Sequence, residues 1–164
     1  MKSILQSMIG LFFLSTAIAQ NSLSTSNFEY LNGSSWSGNL MYINYSDGKE
    51  VNIRTTLKIS VQDDTIIQEV EFPDEPKANY ISRVKIKKNG HYFGDEKVVD
   101  LDFEGGSITK LTTRYKGRDN NKKADIYKTY LFGNQSISIT KTVVYQKSQE
   151  KMIRNRYTYK KLKI

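Results

Sequence analysis

The residue types that most often carry enzyme chemistry are scarce in this sequence. The 164 residues include one histidine, His91, and no cysteine. A multi-histidine metal centre and a thiolate site therefore lack residues that they require, and a single histidine makes a Ser-His-Asp triad hard to build. No phosphate-binding loop, nucleophile elbow or H-E-x-x-H motif is present. The sequence thus indicates no catalytic residue and favours a protein that is not an enzyme.

Two parts of the sequence could hold a haem or a metal ion. His91 follows Asn89-Gly90 and is expected at a hairpin turn, where a lone histidine is more often solvated than an axial haem ligand. A second stretch carries side chains with oxygen ligands: Asp119, Asn120, Asn121 and Asp125. Their spacing misses the D-x-[DN]-x-[DN]-G pattern of a calcium loop, so we interpret the stretch as a plain turn. The sequence predicts neither a cofactor nor a bound metal.

Two pairs of carboxylates have a spacing that glycoside hydrolysis would allow. They are Glu69 with Glu71 and Asp100 with Asp102. Glycosidases need two carboxylates about 5 to 10 Å apart across a cleft. Each pair, however, alternates with apolar residues, which for the second pair are Val99, Leu101 and Phe103. We therefore expect the apolar residues to face inward and both carboxylate pairs to lie on solvated outer faces.

The elements that must position any site are β-strands. Apolar residues recur with a period of two through much of the chain, most clearly at Val51, Ile53, Leu57, Ile59 and Val61. A helix would scatter these side chains around its axis, whereas a strand places them on one face. Because polar residues fill most alternate positions, the pattern predicts strands with one buried and one solvated face.

Turn residues divide the alternating region into about nine strands. The predicted strands cover residues 36–45, 49–62, 65–72, 80–88, 97–104, 107–115, 124–132, 135–146 and 151–162. Residues 116–123 are predicted to form a loop. Consecutive antiparallel strands leave two exposed edges unless the sheet closes on itself. The sequence therefore predicts an all-β single domain, an antiparallel up-and-down β-barrel, with a β-sandwich as the alternative.

The N-terminus carries the features of an export signal. Lys2 precedes an apolar stretch that is densest from Met8 to Leu14, and Ala17-Ile18-Ala19 matches an A-x-A cleavage site. We predict a signal peptide over residues 1–19, a flexible lead-in over residues 20–27 and the barrel domain over residues 28–164. The lack of cysteine fits a bacterial periplasm or medium better than a eukaryotic secretory route. The expected location is periplasmic or secreted.

The residues before the first strand resemble a family signature. Phe28, Leu31, Gly33 and Trp36 are similar to the F-x-x-L-x-G-x-W motif of lipocalin-like (calycin) barrels, with two residues instead of one between Gly33 and Trp36. The resemblance implies a lipocalin-like barrel in which a helical turn plugs one end and the tryptophan opens the first strand.

The C-terminal half adds two further likenesses. Lipocalins pack an arginine of the final strand over the tryptophan, and Arg154 or Arg156 is the candidate here for closing the barrel with Trp36. The same half is similar to uncharacterised exported proteins of Bacteroidetes-type bacteria, in Gly117–Asn121 with Ala124 and in Arg154–Tyr157. That similarity implies no function.

Positive charge is concentrated in the C-terminal part. Residues 105–164 hold 15 Lys and Arg against 3 Asp and Glu, whereas residues 61–104 hold 6 against 11. For an exported protein, anionic lipid or glycan is a more available partner than nucleic acid, which we do not expect. Solvated outer strand faces would explain the same lysines without any partner. Beyond the signal, no apolar run reaches the length of about 20 residues that a transmembrane helix needs.

Together these patterns predict an exported, non-enzymatic binding protein. The barrel would hold a small apolar or amphipathic molecule, since barrels of about eight strands can enclose one ligand. The side chains expected to line the interior are Val51, Ile53, Leu57, Ile59, Tyr80, Val84, Ile86 and Tyr157. The alternative is a structural or adhesion module whose basic C-terminal strands bind anionic envelope lipid or glycan. An enzyme is the third alternative. It would require a polar cluster inside the barrel, which a single sequence does not reveal.

Overall fold

Ten strands make up most of residues 22–163, the part of the chain that the computed structural model describes. They are β1 (Ser34–Ile43), β2 (Glu50–Gln62), β3 (Thr65–Glu71), β4 (Tyr80–Lys87), β5 (Tyr92–Phe93), β6 (Glu96–Glu104), β7 (Ser107–Asp119), β8 (Lys122–Phe132), β9 (Ser136–Tyr145) and β10 (Lys151–Lys161). Two 3-10 helices cover Thr25–Leu31 and Pro76–Ala78. The predicted signal peptide over residues 1–19 lies outside the described residues. Within residues 22–163, no helix combines the length and apolarity needed to cross a membrane.

The strands follow one another around a closed barrel. Each pairs antiparallel with its neighbours in the chain, and β1 pairs with β10, with Trp36 opposite Lys161. The predicted up-and-down β-barrel is therefore confirmed, and the β1–β10 pairing leaves neither the first nor the last strand as an edge of the sheet. The strand number is ten instead of nine because β5 is only two residues long, too short to produce an alternating pattern.

The inner face of β2 follows the predicted alternation, whereas that of β6 departs from it. In β2, Leu57 and Ile59 are buried as expected. In β6 the pairing register with β7 shifts between Val98 and Asp100, so that Val98 packs against the core and Val99 is 44% exposed. The prediction that Val99 faces inward is thus wrong, because a β-bulge moves all preceding residues of the strand to the opposite face.

The segment predicted as a loop at residues 116–123 is a tight hairpin. β7 continues to Asp119 and β8 begins at Lys122. Only Asn120 and Asn121 form the turn, with φ angles of 46° and 61°. Two-residue hairpin turns often need positive φ, which asparagine tolerates better than most residues. The pair Asn120-Asn121 is therefore the turn signal in this stretch.

The N-terminal helix closes one end of the barrel. Phe28 and Leu31 are buried, and the ring of Phe28 lies 5.8 Å from that of Phe93 and 5.6 Å from that of Phe132. Trp36 is 1% exposed, and its indole N–H donates to Ser34 Oγ. The helical turn that the family resemblance implies is thus present at this end, hereafter the helix end.

The chain joins this packing earlier than the predicted lead-in over residues 20–27 suggests. Leu23 is buried, and its backbone lies so close to Gly90 that a Cβ there would come within 2.6 Å of the Leu23 carbonyl oxygen. Asn27 Oδ1 accepts a hydrogen bond from the Ser24 backbone N–H as the helix begins. A single apolar residue in a polar stretch has no period, which is why the sequence pattern does not show this contact.

The cation over Trp36 is a lysine instead of an arginine. Lys161 Nζ lies 5.7 Å from the centroid of the indole ring. Arg154 packs on Tyr45 at the other end of the barrel, and Arg156 donates to Thr140 Oγ1. The expectation that Arg154 or Arg156 would close the barrel over Trp36 is therefore corrected, because the β1–β10 register places Lys161 opposite the tryptophan.

Candidate functional site

One stretch of the barrel wall has no strand to fill it. β5 pairs with β4 only at Ile86 and Lys87. β6 extends along β7 only as far as Arg114. Residues 80–85 of β4 and residues 115–119 of β7 therefore border a side opening, at the end of the barrel away from the helix. The short length of β5 is what creates it.

A cavity of about 500 Å³ lies behind this opening. Tyr80 and Ser82 of β4 and Tyr115 of β7 line it next to the opening, and Tyr80 is 44% exposed. The deeper wall is largely aromatic, with Phe93, Tyr130, Tyr157 and Tyr159. The volume lies within the range of about 300 to 1,000 Å³ that is typical of small-molecule sites.

Four of the eight residues predicted to line the interior border this cavity: Leu57, Tyr80, Val84 and Tyr157. The other four do not. Ile59 is buried in the core at the helix end, and Ile53 and Ile86 pack against that core. Val51 is half-buried at the start of β2. Alternation predicts which face a residue occupies, but it carries no information on the level of that residue along the barrel axis.

Polar side chains form a layer across the interior at one level of the barrel. In the strand register Thr113 lies opposite Lys128, Lys128 opposite Lys141, and Lys141 opposite Asn155. Directly paired residues of neighbouring strands share a face of the sheet. Lys128, Lys141 and Asn155 all line the cavity. We call Thr113, Lys128, Lys141, Asn155 and the adjoining Glu96 the polar layer.

Apolar clusters lie on both sides of the polar layer. In β8, Ile126 belongs to a small cluster on one side, and Tyr130 belongs to the main core on the other. In β9, Val143 and Ile137 are divided in the same way. The two lysines therefore occupy inward positions between apolar neighbours, where an unpaired charge is costly.

Glu96 neutralises one of these lysines. Its Oε1 accepts a hydrogen bond from Lys128 Nζ at 2.5 Å, and its Oε2 accepts one from Thr113 Oγ1 at 2.6 Å. Both carboxylate oxygens are thus engaged within the polar layer. The Glu96–Lys128 pair is partly buried, with 18% and 31% of the side chains exposed.

A second carboxylate, that of Asp119, is buried at the end of the barrel away from the helix. It accepts hydrogen bonds from Tyr45 Oη at 2.6 Å, Tyr145 Oη at 2.7 Å and Arg154 Nε at 3.2 Å. Burial raises the pKa of Asp119, but the two tyrosine hydrogen bonds and the charge of Arg154 outweigh burial and hold this pKa below its ordinary value. The Asp119 carboxylate therefore binds three side chains of the protein itself, which argues against a calcium loop at this position.

Lys141 is the cation between these two pairs. Glu96 binds Lys128 and Asp119 binds Arg154, whereas Lys141 has no ion-pair or hydrogen-bond partner within residues 22–163. Burial lowers the pKa of Lys141, and repulsion from Lys128 and Arg154 adds to the lowering, while Asp119 and Glu96 oppose it. Lys141 and Asn155 also line a second cavity of about 380 Å³ next to Arg154. The Lys141 ammonium is thus open to a molecule that enters the barrel.

The other residues considered from the sequence lie away from the cavity. His91 is exposed at the turn before β5. Asp100 and Asp102 both bind Lys110 on the outer face, at 2.6 and 3.4 Å. In the described part of the chain, no three His, Cys, Asp or Glu side chains are grouped so that they could hold a metal ion.

The basic C-terminal part does not form one continuous surface. At the end away from the helix, a groove is lined by Lys122, Lys123, Tyr145 and Lys147. Lys160 and Lys161 lie at the helix end instead, paired with Ser37 and Trp36. The antiparallel course of β10 carries the charges of one sequence stretch to opposite ends of the barrel.

The sequence holds a signal for the two inward lysines that the prediction did not use. In β8 and in β9, a lysine stands at a position that strict alternation assigns to the apolar face. Lys128 follows Ala124 and Ile126 at a spacing of two, and Lys141 follows Ile137 and Ile139. A lysine at such a position is worth examining, because burying its charge is costly unless it is paired or binds a ligand.

Neither a scan of protein-family models nor a search of curated proteins found a match to this chain. The resemblance to lipocalin-like barrels therefore stays a prediction.

Proposed function

We propose that the protein is a non-enzymatic binding protein that holds one small amphipathic molecule inside its barrel, as the lipocalin-like resemblance implies. The observation that carries this proposal is the cavity of about 500 Å³ behind the side opening. Its volume suits a small organic molecule, and the opening between β4 and β7 gives such a molecule a path inward. With the signal peptide cleaved, binding takes place in the periplasm or outside the cell.

The lining favours a ligand with two chemically different ends. Aromatic rings and the side chains of Leu57 and Val70 provide an apolar wall on the core side. The polar layer provides charged and hydrogen-bonding groups on the other side. A purely apolar molecule would leave the polar groups desolvated without partners, which is costly. An amphipathic molecule satisfies both parts of the lining.

A fluorescent neutral probe tests the proposal. N-phenyl-1-naphthylamine becomes fluorescent in apolar surroundings, and we expect the purified protein to bind one equivalent. Ser82→Trp should abolish the signal, because Ser82 lines the cavity next to its opening. Arg83→Trp is the matched control, since Arg83 is the next residue of β4 and is exposed on the outer face. Absence of binding, or binding that survives Ser82→Trp, would refute a ligand site in the cavity.

The groove at Lys122, Lys123 and Lys147 favours a second candidate function. Lys122 and Lys123 are the first two residues of β8, Lys147 lies in the turn between β9 and β10, and Lys151 begins β10, so that four lysines lie at this end of the barrel. Clustered lysines attract anionic surfaces. As the alternative we propose an adhesion module that binds anionic envelope lipid at this end.

Sedimentation with phosphatidylglycerol vesicles tests this alternative. Lys122→Glu with Lys147→Glu should release the protein from the vesicles. Lys160→Glu with Lys161→Glu at the helix end should leave binding unchanged. Equal effects of the two double variants would count against a defined lipid-binding end.

A further inference from the structure

The interior of the barrel holds one more positive charge than negative charges. The interior holds two ion pairs, Glu96 with Lys128 and Asp119 with Arg154. Lys141 is the fifth charged group and has no ionic partner in the described chain. Within residues 22–163, no carboxylate forms an ion pair with Lys141 that would offset the free-energy cost of placing its charge between apolar side chains.

The register makes the position of Lys141 still less favourable. Lys128 and Lys141 are directly opposite on β8 and β9 and share the inner face. Cβ atoms of such a pair are about 5 Å apart, and like charges there are destabilising. A negative charge between the strands would be attracted by Lys141 and would offset this repulsion.

The carboxylates of the interior are not available to a cationic ligand, and that of Asp95, which also lines the cavity, is exposed and accepts a hydrogen bond from Lys87 Nζ. Glu96 already accepts from Lys128 and Thr113, and Asp119 accepts from Arg154 and two tyrosines. The available groups at the centre of the cavity instead include two donors, the Lys141 ammonium and the NH2 group of Asn155 opposite it. The chemistry of the site therefore selects for an acceptor that carries negative charge.

We propose that the ligand is an amphipathic organic anion whose acidic group binds Lys141 in the polar layer and whose apolar body lies against the aromatic wall. This inference rests on the proposed binding function and names its ligand class. Asn155 donates a second hydrogen bond to the acidic group, and Phe93, Tyr130 and Tyr159 contact the apolar body. The Glu96–Lys128 pair stays intact and sets the boundary of the anion site.

Two probes that share one carbon skeleton distinguish the contribution of the acidic group to binding from that of the apolar body. 8-Anilinonaphthalene-1-sulfonate carries a sulfonate on the skeleton of N-phenyl-1-naphthylamine, which is neutral. We expect the protein to bind the sulfonate at least about tenfold more tightly, a difference of about 1.4 kcal/mol. Lys141→Met should remove this preference and leave the affinity for the neutral probe within about twofold.

Two further variants control for folding and for general electrostatics. Lys141→Arg keeps the cation and should keep the preference for the sulfonate, which a merely structural role of Lys141 would not require. Lys58→Met removes a lysine from the exposed outer face of β2, which lines neither this cavity nor the groove at Lys122, and it should change neither affinity. Ser82→Trp should block both probes, because both occupy the same cavity.

The outcomes distinguish this inference from the proposed function. Binding of neither probe, or of both after Ser82→Trp, would overturn the binding site itself. Equal affinity for the two probes in the unmodified protein would overturn the anion site while the binding function stands. The anion site would also be refuted if Lys141→Met weakened the binding of both probes equally. It would likewise be refuted if Lys58→Met or Lys141→Arg weakened the binding of the sulfonate as much as Lys141→Met does.

Discussion

Asp119→Asn provides the sharpest test of how the end of the barrel away from the helix is held together. The substitution keeps the size of the side chain but removes its charge. Arg154, with 7% of its side chain exposed, then keeps its charge without a carboxylate. Removing one partner of a buried ion pair costs about 3 to 5 kcal/mol, because the other charge stays buried.

Urea unfolding followed by the fluorescence of Trp36 measures this loss, since Trp36 is the only tryptophan and is 1% exposed. A loss of about 4 kcal/mol at a slope of about 2 kcal/mol per molar urea lowers the midpoint by about 2 M. Asp125→Asn is the matched control. Asp125 pairs with Arg114 on the surface, with 19% and 43% of the side chains exposed, so its loss should stay below about 1 kcal/mol.

The double variant Asp119→Asn with Arg154→Met adds a second condition. It removes the charge that the single variant leaves unpaired, so it should be more stable than Asp119→Asn alone. The reasoning is refuted if Asp119→Asn costs no more than Asp125→Asn. It is also refuted if the two substitutions at the buried pair simply add.

Three further predictions concern the pH dependence, the barrel closure and a turn. The pKa of Asp119 in the folded protein lies below its unfolded value of about 3.9. The ionised carboxylate therefore stabilises the fold above that pH, and this stabilisation is lost as the pH falls through the folded pKa. In urea unfolding, the difference in unfolding free energy between the original protein and Asp119→Asn should narrow below about pH 4. Gly38→Ala should lower the free energy of unfolding by about 2 kcal/mol or more, since its Cβ would lie 1.8 Å from the Thr158 carbonyl oxygen, and a thermal midpoint equal to that of the unchanged protein would contradict this. Asn121→Gly should raise the free energy of unfolding by up to about 1 kcal/mol, because residue 121 has a φ of 61°; a lower urea midpoint would show that the asparagine side chain matters more than the backbone.

Several features of the fold were predictable because they depend on neighbouring residues. The alternation around Leu57 and Ile59 fixes which face of β2 is buried. Hairpin turns at Asp47-Gly48 and Asn89-Gly90 follow from residues that accept positive φ. Tight turns between successive strands lead to a meander, and closing the meander is the arrangement that leaves no exposed edge.

The candidate site was predictable only in part, because its geometry depends on strands that are distant in sequence. The short β5 produces the side opening, and its two residues give no periodic signal. The bulge at Val98 reverses a face within one strand. Arg154 lies at the end of the barrel away from Trp36 because of the β1–β10 register, and no local pattern carries that register.

The sequence by itself determined the fold class, the inner and outer faces of most strands and the absence of cysteine and multi-histidine chemistry, since these depend on residue type and on a period of two. The tertiary structure alone decided that Lys128 and Lys141 meet at one level of the barrel, that Glu96 is bound to Lys128 and that Lys141 is open to the cavity. The physical reason is that alternation sets the direction of a side chain, whereas its height along the barrel axis is set by the pairing register of all ten strands.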